Sequence, residues 1–351
     1  MSGFRRIEHR DNGVSVAYYP TAYQNGRFRV LRQLAGAGQG YTLLVRDTWS
    51  DCPAVLKGIW WTESELRDPN QTMAAKQKSE SLLADGLAAV RRASQRSQQV
   101  PAIVHAFRER PSPSQAAVGS LTGDRTADEE MFVVQQFVGV DLDTTRSLQD
   151  DIEERSRQSR PYSEEELISL AEQVCRPLAA LHARYRPTDD SPQTYWVHCD
   201  VKPENILVLG PPAQYLLIDY DGAAEAGQPL RAFTPPYAPP PATAGQRDLP
   251  ETDTAHERFD VYGFAATLYH TAALRPATDD LRRILYYGSD DERKSAVAEV
   301  GQVGYGPIIS RIITDSLSQP RFRLNSIAVI QTELARARHA NALAAALELA
   351  D

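Results

Sequence analysis

Trp196–Ala223 reads WVHCDVKPENILVLGPPAQYLLIDYDGA, and it is the most informative run in the chain. His198, Asp200, Lys202 and Asn205 fall in one short loop, and Asp219 follows the apolar run Tyr215–Ile218. A carboxylate that accepts a proton, a cation two residues on, a carboxamide and a second carboxylate are the parts that phosphoryl transfer needs. Asp200 can take the proton of an attacking hydroxyl, and Lys202 can neutralise charge on the transferred group. Asn205 and Asp219 offer hard oxygen ligands suited to magnesium. The plainer reading is that Asp200 and Asn205 cap turns, as such residues often do.

The rest of the composition is compatible with this chemistry. The chain has 351 residues and a net charge of −8, enough length for two domains or one two-lobed domain. No extended basic tract is present, so nucleic acid and anionic membranes are poor partners. The three cysteines, Cys52, Cys175 and Cys199, are far apart and form no CxxC, which suits a reducing compartment and argues against structural zinc. No apolar run approaches membrane-spanning length and no signal peptide is visible, so a soluble, cytoplasmic protein is expected. Lysine occurs only at Lys57, Lys76, Lys78, Lys202 and Lys294. A compact, rotatable ammonium on a flexible stem suits phosphate.

Outward from the central run, residues 1–26 read as a polar extension of uncertain order. Arg27–Leu34 and Tyr41–Arg46 read as strands around AGAGQG, and Ala54–Trp61 as a third. Thr72–Ser97 reads as a long helix. Ile103–Arg108 and Met131–Val138 are two more strands, separated by a Pro/Ser/Gly/acidic insertion at 111–130 expected to be a mobile loop. Beyond Gly139 the pattern turns helical. Ser163–Arg184 opens with SEEE, a capping-type start, and Pro177 is expected to disturb that helix. Ile327–Ala350 is an Ala/Leu-rich helical run expected to pack on the other helices.

The order H-x-D-x-K-P-x-N, then a strand and I-D-Y, resembles the catalytic and metal loops of the protein kinases. Other landmarks follow in the same order. Gly36, Gly38 and Gly40 resemble the Gly-rich loop, loosely, because no single register places all three glycines. Ala54-Val55-Leu56-Lys57 resembles the V-A-I-K strand, and Glu80 in the long helix is the implied partner of Lys57. Val55 and Leu207 take positions that sandwich the adenine ring, and the backbone at Gln136 and Val138 takes the hinge position. Asp219-Tyr220-Asp221-Gly222 resembles D-F-G, with Asp221 where glycine would allow unusual dihedrals. Thr234–Pro240 (TPPYAPP) resembles the end of the activation segment, with Pro240 replacing a glutamate and leaving Arg323 to find another partner. Asp260 resembles the buried aspartate that anchors the catalytic loop; read without the family, it opens an apolar helix as an N-cap. His198 is implied to be structural.

The resemblance implies an α+β, two-lobed protein-kinase fold. Residues 27–138 would form the small β-rich lobe, 139–340 the helical lobe, and 341–351 a helical tail. It implies ATP and Mg2+ as cofactors, a protein substrate or autophosphorylation, and Ser/Thr specificity of the bacterial eukaryotic-like type. Two other functions fit the same residues: a kinase-fold scaffold without turnover, and a small-molecule phosphotransferase resembling aminoglycoside or choline kinases. The position beside Asp200 that in many kinases is an arginine gripping a phosphorylated segment is Cys199. Ala223–Phe233 contains no Ser, Thr or Tyr. Acceptor and receptor are absent together, so this segment is expected to be ordered without phosphorylation.

Overall fold

The computed structural model describes residues 4–10, 14–37, 40–59, 61–62, 69–110, 129–139, 145–230, 233–240, 254–301, 306–318, 324 and 326–348. The chain is α+β and divides into two compact units, Met1–Arg91 with Pro101–Leu142 and Arg92–Val100 with Asp143–Asp351. Gly38, Arg323 and most of the 111–130 insertion lie outside the described residues.

The first unit is a β-rich layer with one long helix. Strands β1 (Phe4–Arg10) and β2 (Val14–Pro20) form an antiparallel pair that β7 (Trp61–Thr62) extends. The main sheet has six strands in the order β3 (Ala22–Tyr23), β4 (Phe28–Ala37), β5 (Gly40–Asp47), β6 (Cys52–Ile59), β9 (Glu130–Gln136), β8 (Ile103–Glu109). All its pairs are antiparallel. The sheet curls until its two edges meet. The Gln24 amide donates to Glu109 Oε2 at 2.8 Å, and Phe28 stacks on Phe107 with centroids 5.9 Å apart. The period of two does the sorting. Ala54 and Leu56 join Tyr23, Phe28, Tyr41 and Phe132 in an aromatic core inside the curl. Ile59 and Val133 point the other way, against Leu83 and Leu87 of helix α1 (Pro69–Ser94).

The described residues 4–10 and 14–26 are therefore no loose extension. They supply β1 to β3, and Tyr19 and Tyr23 are buried in the aromatic core. Their polar composition hides this because strand pairing runs through backbone N–H and C=O groups, which residue types do not report.

The second unit is mainly helical. Its helices are α2 (Leu148–Arg157), α3 (Glu164–Leu181), α4 (Glu257–Ala273), α5 (Asp279–Tyr287), α6 (Asp290–Gly301), α7 (Pro307–Leu317) and α8 (Ile327–Glu348). Short strands β10 (Arg146–Ser147), β12 (Ile206–Leu209) and β13 (Gln214–Leu217) make one small sheet, and β11 (Trp196–Val197) pairs with β14 (Ala224–Glu225). Ser147 with Asp150, and Ser163 with Glu166, close full capping boxes at α2 and α3. Helix α3 continues through buried Pro177 to Leu181, so the expected disturbance does not end it. Helix α8 packs on α3: Ile330, Leu334 and Ala337 are buried, and Arg338 Nε donates to Glu172 Oε1 at 2.5 Å. No helix among the described residues is long and apolar enough to cross a membrane.

Gly58 sets a tight tolerance inside the curl. A Cβ there would lie 2.4 Å from Tyr41 Cζ, far inside contact distance. Gly58→Ala is expected to destabilise the protein by about 1–3 kcal/mol, the usual cost of overpacking. Tyr41→Leu in the same chain should recover part of that loss. Chemical denaturation midpoints of the single and double variants measure both effects.

Candidate functional site

The site in the second unit is built on one buried carboxylate. Asp260 is 1% exposed. Its Oδ2 accepts from the His198 amide at 2.8 Å and lies 2.9 Å from His182 Nε2, and its Oδ1 accepts from the Cys199 amide at 2.8 Å. Asp260 does not open its helix as an N-cap. Helix α4 starts at Glu257 and is capped by His256, whose Nδ1 accepts from the Arg258 amide at 3.3 Å. With that end already capped, Asp260 bonds the Asp200 loop instead. Its two amide bonds hold Cys199 in the left-handed region at φ 68°, a costly conformation for a residue with a Cβ. Burial, with the Asp260 carboxylate beside it, pushes the Cys199 thiol well above its ordinary range and keeps it neutral.

His198 ties the loop to the strand end carrying Asp219. Its Nδ1 accepts from the Asp200 amide at 3.3 Å, which leaves Nε2 to donate to the Ile218 carbonyl at 3.1 Å. The ring meets Tyr220 edge-on at 4.7 Å.

Asp200 then faces three donors. Thr234 Oγ1 donates to Oδ1 at 2.7 Å. Lys202 Nζ lies 2.9 Å from Oδ2, and Asn205 Nδ2 lies 3.2 Å from the same oxygen. Lys202 also donates to Thr234 Oγ1 at 2.8 Å, so carboxylate, ammonium and hydroxyl form a closed triangle. Asn205 Nδ2 additionally donates to the Asp200 carbonyl at 2.8 Å. With Nδ2 thus engaged, Oδ1 of Asn205 carries no hydrogen bond among the described residues and remains an open acceptor. The Ile218 amide donates to the Asn205 carbonyl at 2.8 Å, prolonging the β12–β13 pairing and setting Asp219 beside Asn205 at one sheet end. Asp219 has φ 62° and ψ 67°, a left-handed conformation that aspartate tolerates better than most residues. At Asp221, where a glycine would permit unusual dihedrals, φ is negative and the residue lies in a 3-10 turn, Tyr220–Gly222. The strain sits two residues earlier, so a glycine is not needed at 221.

The segment after Asp219 is tied down along its described length. Glu225 pairs with Trp196, the Ala226 amide donates to the Tyr195 carbonyl at 2.9 Å, and Gln228 and Ala255 are joined by a 2.7 Å bond.

In the first unit Lys57 is buried on β6, on the same side as Ile59, toward α1. The expected Lys57–Glu80 pair is not formed. Among the described residues, the partners of Glu80 are Arg108, by a bidentate bond of 3.0 and 2.8 Å, and the Met131 amide at 3.1 Å. The register explains this. Arg108 and Met131 face each other across β8 and β9, so one rung presents three donors to the carboxylate, whereas Lys57 pairs with Val133. A guanidinium fork fits a carboxylate better than a single ammonium. Gly36 and Gly40 lie at the tip of the β4–β5 hairpin, opposite Tyr41 and Ala37. Val55 is half-buried on β6, on the Lys57 side, and Leu207 is half-buried on β12. Gln136 closes β9 with its amide bonded to the Ala102 carbonyl at 2.7 Å, and Val138 follows the strand.

Two residues with a hold on the site went unnoticed in the sequence. Arg282 of α5 donates to the Pro235 carbonyl at 2.7 Å, and His270 Nδ1 of α4 meets Tyr237 Oη at 2.8 Å. Four prolines in Thr234–Pro240 signal carbonyls that need outside donors.

No protein-family model matches this chain, and no curated protein matches it.

Asp260→Ala would strand two buried amides and is expected to cost about 3–5 kcal/mol, the usual scale for breaking a buried charged network. Denaturant unfolding measures it. His270 is lowered to about 4 by burial, a pull that Glu153 opposes. Its folded value lies below its unfolded one, so this contribution is complete above the ordinary pH of about 6.5 and is lost as pH falls towards 4. The unfolding midpoint should drop across that window, and less steeply in His270→Gln.

Proposed function

We propose that this chain is an ATP- and magnesium-dependent protein kinase acting on serine or threonine hydroxyls. The observation that carries the reading is the triangle of Asp200, Lys202 and Thr234, with a hydroxyl 2.7 Å from one carboxylate oxygen and an ammonium 2.9 Å from the other. An acceptor hydroxyl at Asp200 would give up its proton there as its oxygen bonds to phosphorus and the bond to ADP breaks. Lys202 would offset charge on the transferred group.

The donor set fits magnesium. The open Oδ1 of Asn205 and the neighbouring Asp219 carboxylate are hard oxygens, and magnesium takes only one or two protein ligands beside water and phosphate. When bound, the ion supplies charge neutralisation at the phosphates. Lys57, buried on β6, is the residue assigned to grip them. The ordered backbone of Ala223–Leu230, with no hydroxyl side chain and Cys199 where a phosphate receptor would be, supports activity without phosphorylation of that segment.

One observation favours a second reading, a scaffold without turnover. Glu80 is held by Arg108 and Met131 rather than by Lys57.

The test is intact-mass measurement of the protein and of casein after incubation with Mg-ATP. Phosphoryl additions by wild type, slowed roughly 10²–10⁴-fold in Asp200→Asn, are the expected outcome. Wild type that binds Mg-ATP and adds nothing would overturn the kinase reading in favour of the scaffold. Phosphatase pretreatment should leave the casein rate unchanged.

A further inference from the structure

The loop Thr234–Pro240 carries Thr234 into the Asp200 triangle, and its sequence leaves it poorly able to hold itself. Prolines at 235, 236, 239 and 240 have no N–H to donate. The loop's own bonds are two short-range ones, from the Tyr237 amide to the Thr234 carbonyl and from the Ala238 amide to the Pro235 carbonyl. Beyond the side-chain bonds of Thr234 and of Tyr237, three of its carbonyls receive donors from α5. Arg282 Nη1 reaches the Pro235 carbonyl at 2.7 Å and the Ala238 carbonyl at 3.4 Å, and Tyr287 Oη donates to the Pro240 carbonyl at 3.0 Å. Arg282 is 8% exposed, a buried charge whose other bond goes to Asp279 at 2.6 Å. Burying a guanidinium is costly unless its donors are used. Here Nη1 spans both ends of the turn that follows Thr234 and Nη2 meets Asp279, while Nε has no partner among the described residues.

We infer that Arg282 is a positioning residue for the phosphoacceptor site, holding the Thr234 turn in register with Asp200 and Lys202; this rests on the phosphotransfer reading above. The loop ends in Pro240, the position at which the resemblance to the activation-segment run has a glutamate, and Arg282 holds the loop through carbonyl oxygens. Misplacing Thr234 by a fraction of an ångström would disturb how Asp200 meets an acceptor, and leave the nucleotide-facing Asn205 and Asp219 untouched.

The experiment compares wild type, Arg282→Met, Arg282→Lys and Tyr287→Phe with casein as acceptor. Arg282→Met should lower kcat/KM for casein roughly 10- to 100-fold, the scale of a small misplacement, while KM for ATP stays within about two-fold. Arg282→Lys, which can meet one carbonyl, should recover part of the loss, and Tyr287→Phe should lose less than Arg282→Met. Amide hydrogen exchange in residues 233–240 should rise in Arg282→Met while residues 198–206 keep their protection. If Arg282→Met does not fold, Arg282→Lys and Tyr287→Phe decide by the same readouts. Wild-type kcat/KM for casein in the folded variants, or an equal loss in ATP affinity, would overturn the inference alone. A wild type that transfers nothing would overturn the kinase reading and this role with it, whatever the exchange data show.

Discussion

A carboxylate buried to 1% exposure is tolerable only with donors on both oxygens, and Asp260 finds them in two successive backbone amides and a histidine. Much of the second unit depends on that constraint. The paired amides hold Cys199 left-handed, the turn at Cys199 aims Asp200, and the Asp200 amide sets the tautomer of His198. His198 then reaches the Ile218 carbonyl, one residue before Asp219. One buried charge thus propagates through backbone bonds to both carboxylates of the candidate site. Removing it would release a chain of dependent geometries rather than a single contact.

The helix that bears Asp260 is suited to the task because it is enclosed. Every residue of α4 from Phe259 to Thr271 is buried, a pattern of a helix apolar on all sides. Two loops lie directly on it at Gly263, where a Cβ would sit 3.1 Å from both the Tyr237 and the Val201 carbonyls. Thr267 Oγ1 donates to the Val201 carbonyl at 3.3 Å. The Asp200 loop and the Thr234 loop therefore share one support, and their relative position is set by a helix that has nowhere to move.

Where one short run held all the partners, the sequence could be read closely. His198, Asp200, Lys202 and Asn205 lie within a few residues of one another, so loop geometry alone brings them together, whereas Thr234 was marked only by the resemblance of its run to an activation-segment end. The strands of the main sheet were visible from apolar alternation and from the glycines between β4 and β5. Three features escaped for a common reason: they depend on partners distant in sequence. The polar first 26 residues concealed strands whose pairing is backbone-driven. Glu80 has a lysine of suitable type nearby in the pattern, but strand register hands it to Arg108, and register cannot be read from residue types. Asp260 as the anchor of the Asp200 loop, by contrast, was implied by the resemblance, and its bonds to the His198 and Cys199 amides agree with that. Arg282 carried no pattern at all, since its partners are carbonyls, which every residue has.

The prolines of Thr234–Pro240 have a bearing on the unfolded chain as well. Each fixes its own φ and restricts the residue before it, so this loop samples few conformations even when nothing packs against it. Little entropy is surrendered when it settles on α5. Its order is thus partly a property of chain stiffness, present before the surrounding helices assemble. Replacing these prolines with alanine would loosen the loop chiefly by widening the ensemble it must leave, with the folded contacts unchanged.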